Sequence, residues 1–119
     1  MENHYQSEDE IEAVVKGFEL CTTKKDEFTH REHLTVAVWY LRTSDHRQAL
    51  EQMRYGLRRF LNHHGVGSAK YKESLTVSWI ALVETTLTAL DPELSLLEVT
   101  NIILERLGDS RIISSDGST

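Results

Sequence analysis

Scarcity sets the first limits. Cys21 is the single cysteine, so no disulfide can form within the chain and a thiolate-rich zinc finger is excluded by arithmetic. The thiol falls within an apolar helical pattern, where a small buried hydrophobe is expected, because reactive cysteines need an electropositive and accessible setting. Pro92 is the single proline, which leaves long stretches free to run as helix. No apolar run is long. The best, Leu75 to Val83, is interrupted by Thr76 and Ser78 and falls far short of the ~20 residues of a membrane span. The segment from Met1 to Glu10 is polar and acidic, where a secretory signal needs a basic start and an apolar centre. The expected address is therefore cytoplasmic. Positive charge is also in short supply, with 13 Lys plus Arg against 19 Asp plus Glu and a formal charge of −6. The basic residues gather into no long block, which argues against nucleic acid or an anionic membrane as partner.

What the chain does have is helical periodicity. Its 119 residues fit one domain with its own core. Ser7 and Glu10 have the spacing of a capping box ahead of Ile11, Val14, Val15, Phe18 and Cys21, predicting a first helix from about Glu8 to Thr23. Thr29 and Glu32 repeat the spacing, and Phe28 stands where a hydrophobic staple would, before a second helix of about His30 to Arg42. Asp45 opens a third, whose stripe of Ala49, Leu50, Met53, Leu57, Phe60, Leu61 and His64 ends at Gly65. A fourth, about Lys70 to Leu90, is apolar on most sides and is expected at the centre of the molecule. Ser95 and Glu98 open a fifth, which Gly108 stops. Short connections favour antiparallel neighbours, so the expected fold is all-α, an up-and-down bundle of four to five helices. Residues 1–7 and 114–119 are expected to be flexible.

The chemistry concentrates in histidines. Reversal of the chain at Ser44 and Asp45 sets the start of the second helix beside the end of the third, so His30 and His33 approach His63 and His64. Along straight helices His33 and His64 are offset by about 12 Å, and His30 is about 4 Å nearer to level. His30 and His33 share one helix face, with Ala37 leaving room above them. His64 follows Phe60 by one turn and points inward, while His63 is turned toward the edge. The fourth helix brings Tyr71, Lys72 and Glu73 to the same end. His30, His33, His64 and Glu73 together would make three imidazoles and one carboxylate, the ligand chemistry of a divalent transition metal such as zinc, iron, manganese or nickel. The plainer reading makes His64 a complement to a helix C-terminus and Glu73 a first-turn acid. Arg54, Arg58 and Arg59 read as a solvated strip pairing with nearby acids, His4 and His46 as solvent residues, and Trp39 and Trp79 as core or interface anchors.

Phe28-Thr29-His30-Arg31-Glu32-His33-Leu34, then Ala37 and Tyr40-Leu41, His63-His64-Gly65 and Tyr71-Lys72-Glu73-Ser74-Leu75-Thr76, resemble a family of small uncharacterised bacterial all-α proteins over about residues 28 to 107. In that family a histidine usually stands between the tyrosine and glutamate, and here the position is Lys72. The resemblance implies a shared site and no named reaction.

Three readings follow. The first is a metal-binding bundle, open to hydrolytic or oxygen chemistry, with His30, His33, His64 and Glu73 as ligands and Tyr71 or His63 as catalytic partners. The second is a non-enzymatic interaction module that pairs with another copy or a partner. The third is a metal-free pocket for a small molecule at the same end of the bundle.

Overall fold

The computed structural model describes residues 4–67 and 70–108; the expected flexible segment 114–119 lies outside them, as do residues 1–3. Five α-helices make the fold among the described residues: α1 (Glu8–Glu19), α2 (His30–Thr43), α3 (His46–His63), α4 (Glu73–Thr88) and α5 (Leu96–Leu107), with a 3-10 turn at Lys25–Glu27. The protein is an all-α bundle, and no described helix is long and apolar enough to cross a membrane.

The helix starts follow the capping residues. Ser95 Oγ accepts from Glu98 N while the Glu98 carboxylate accepts from Ser95 N, a complete reciprocal box. Glu32 likewise accepts from Thr29 N at 2.9 Å, and Asp45 accepts from Gln48 N at 2.8 Å. The box at Ser7 is looser. Ser7 Oγ takes Glu10 N, but the Glu10 carboxylate reaches back to Gln6 N.

The end of α1 corrects the expected boundary at Thr23. Cys21 adopts φ +58°, its N–H donates to Phe18 O and that of Thr22 to Gly17 O, closing a Schellman motif with a cysteine in the left-handed position. The thiol is buried nonetheless, since the turn folds it back under the helix. Gly65 does the same for α3 at φ +76°, with Gly65 N on Asn62 O and Val66 N on Leu61 O.

The expectation of a central fourth helix is overturned. It is α2 that packs on α1, α3, α4 and α5, and Leu34, Thr35, Val36, Ala37, Val38 and Tyr40 are all buried. Thr35 conceals this in the sequence. Its hydroxyl donates to Arg31 O and meets Tyr5 OH, each at 2.8 Å, so a polar residue is buried at little cost. Helix α4 buries only Thr76, Ile80 and Val83, and Val77, Ser78 and Ala81 are exposed.

Two further features position the site. Phe18 of α1, Phe28 and Phe60 of α3 form a ring cluster with centroids 4.8, 5.0 and 5.7 Å apart. Residues 4–7, expected as a flexible lead-in, include the buried Tyr5, whose N–H donates to Asn101 Oδ1 while Asn101 Nδ2 donates to Tyr5 O. The Arg31 guanidinium covers the same ring.

Candidate ligand cleft

Between α2, α3 and α4 lies a half-open cleft of about 410 Å³. Its inner walls are Leu34 and Ala37 of α2, Met53 and Leu57 of α3, and Ile80 and Val83 of α4. The apolar surplus of α4 that suggested a central helix is spent here: Leu75 and Trp79 stand half-buried against the space rather than in solid core. The outer rim carries Lys25, Lys70 and Lys72, all exposed, with Tyr71, His30 and His33 beside them.

The imidazoles are held one by one. His30 Nε2 donates to Leu107 O at 2.9 Å, the only role open to it against a carbonyl. Its ring lies 4.6 Å from that of Trp79, so Trp79, expected as an anchor, lines the cleft with an aromatic face. His33 occupies the fourth position of α2 and packs on Phe28 at 4.6 Å, completing the staple that Phe28 was expected to make. Its Nδ1 lies 3.3 Å from Thr29 O. Desolvation by burial pushes its pKa down to about 4, despite the partly compensating bond to Thr29. His33 is therefore neutral near pH 7 and keeps Nε2 as a lone pair.

His64 packs on Phe60 at 4.4 Å, and its Nε2 is buried without a hydrogen-bond partner among the described residues. The inward turn expected of it is found, but it does not line the cleft. His63 is exposed and touches His64 edge-on.

Glu73 is committed elsewhere. Its carboxylate takes both Arg54 Nε, at 2.9 and 3.0 Å, and Arg54 Nη2 at 2.5 Å. Tyr71 OH adds a bond at 2.7 Å. Arg54, followed by Tyr71, holds the Glu73 pKa down to about 2. Arg58 lies over the Tyr71 ring at 5.0 Å. Arg54 thus pairs with an acid as the arginine strip was expected to do. His46, expected in solvent, instead bonds Glu84 of α4 at 2.5 Å.

The structure therefore brings His30, His33 and Tyr71 to one cleft and leaves His63, His64 and Glu73 outside it. Phe28 touches both His33 and Phe60, and Phe60 touches His64, so phenyl rings stand in series where a shared ion would need open space. Among the described residues no group of three or more His, Cys, Asp or Glu side chains is placed to hold one metal ion. Sequence reasoning missed Lys25, Lys70 and the wall formed by Leu57, Leu75 and Trp79. The available signal was the excess of apolar residues on α4, more than one buried face requires.

Comparison with family models, with curated proteins and with solved structures finds no match for this chain.

Proposed function

We propose that this chain is a small-molecule-binding domain that takes an apolar ligand, without metal, in the cleft between α2, α3 and α4. The observation that carries the reading is the cleft: about 410 Å³, lined mostly by aliphatic and aromatic side chains with few polar groups, its three lysines all exposed. Binding sites for small organic molecules run from about 300 to 1,000 Å³ with that division of apolar wall and few polar groups. The histidines support it as well. His30 and His33 each have one nitrogen facing a backbone carbonyl, which in the neutral ring leaves the other nitrogen as an acceptor for a ligand hydroxyl or N–H.

Titration with decanol, followed by calorimetry and by thermal unfolding, tests the reading. A ligand at ~100 times its Kd stabilises by ~2.7 kcal/mol, a rise in Tm on the order of 10 °C for a domain of this size. Leu75→Trp, which puts an indole into the cleft, should abolish the rise, and a chelator should leave it untouched. Emission from Trp79, in a Trp39→Phe background, should shift with occupancy. Absence of saturable binding by any apolar probe would refute the reading.

A further inference from the structure

We infer that the ligand of this cleft ends in an anionic head group, a carboxylate or a phosphate monoester, received at the mouth by Lys25, Lys70 and Lys72; this rests on the reading of the cleft as a ligand site. Charge distribution carries the inference. The chain holds 19 acidic residues against 13 basic ones, yet the cleft is lined by three lysines and no Asp or Glu. The lysines come from two separate segments, the 3-10 turn ahead of α2 and the connection into α4, so the fold rather than one run of sequence gathers them.

None of the three forms an ion pair within the described residues. The acid nearest to Lys72 in sequence is Glu73, and Arg54 already neutralises it with a bidentate pair. That pair removes the acid beside Lys72 from competition for its ammonium group. Lysine stems can lie along the apolar rim with their ammonium groups in water, poised over one end of a bound chain. Low-dielectric walls then strengthen the attraction for an anion seated between them.

Four ligands of one alkyl length separate the possibilities: decanoate, decyl phosphate, decanol and decylamine, titrated into the wild-type chain and into a Lys25→Gln, Lys70→Gln, Lys72→Gln variant at low and high salt. At low salt the better of the two anions should bind about tenfold tighter than decanol, and decylamine weaker than decanol. The anion preference should fall to about twofold in the variant and in ~0.5 M salt, with decanol binding unchanged. The tighter anion names the head group. Decanol binding as tightly as both anions, or a preference that survives loss of the lysines, would overturn the head-group assignment while leaving the cleft a ligand site. No binding by any of the four, with sedimentation as a dimer, would overturn both and assign the cleft to a second copy of the chain.

Discussion

Gly56 of α3 lies so close to Phe18 of α1 that a Cβ at position 56 would stand 2.5 Å from Cε2 and 2.7 Å from Cζ of that ring. The ring has little room to retreat, since Phe28 stacks on it at 4.8 Å and Phe60 at 5.7 Å. Gly56→Ala should therefore destabilise the fold, although alanine is the better helix former by ~1 kcal/mol. Overpacking costs about 1–3 kcal/mol, so the net loss should be up to about 2 kcal/mol in urea denaturation. A gain in stability would show that the ring cluster yields.

His33 should make stability depend on pH above the carboxylate range. Its folded pKa of about 4 lies below the ordinary 6.5, so the unfolded chain takes up the proton first. The contribution is complete above about 6.5, declines as the pH falls toward 4, and is level below that. Between pH 7 and pH 5 it should remove about 2 kcal/mol. Glu73 acts lower, between about 4.5 and about 2. Urea midpoints for His33→Gln should fall less over the same interval, by that amount. Parallel losses in variant and wild type would rule out a desolvated His33.

Thr100 of α5 is fully buried and its hydroxyl has no hydrogen-bond partner among the described residues. An unsatisfied buried polar group costs about 1–3 kcal/mol, and replacing it by an apolar group of the same shape removes that cost. Thr100→Val should raise stability by about 1 kcal/mol in the same assay. A loss of similar size would mean that the hydroxyl has a partner in solution, such as a buried water.

Metal removal should change little. The Glu73 carboxylate is occupied by Arg54 and Tyr71, and His30 by Leu107 O. Tm should be the same within error before and after dialysis against a chelator, and elemental analysis of untagged protein should find metal well below one equivalent. Stoichiometric metal that disappears in His33→Ala would restore the four-ligand centre suggested by residue spacing.

Capping residues and periodicity were enough to place the helices. Ser95 with Glu98, Asp45 with Gln48 and Thr29 with Glu32 mark starts that the structure reproduces, because these bonds join residues three apart and need nothing from the rest of the fold. The stop at Gly65 and the staple position of Phe28 were legible for the same reason. The end of α1 was not, because a left-handed cysteine continues the apolar stripe without continuing the helix.

Which side chains meet across helices was decided elsewhere. Histidines set on facing helices suggested a shared ion, but Phe28 and Phe60 fill the space beside His33 and His64, and Arg54 reaches Glu73 from nineteen residues away. Local sequence determined five helices and the capped starts among them, since backbone hydrogen bonds and caps act within one turn. Tertiary packing decided that α2 is central, that α4 leaves a cleft, and that three lysines surround it, because relative height and rotation of rods depend on every interface at once.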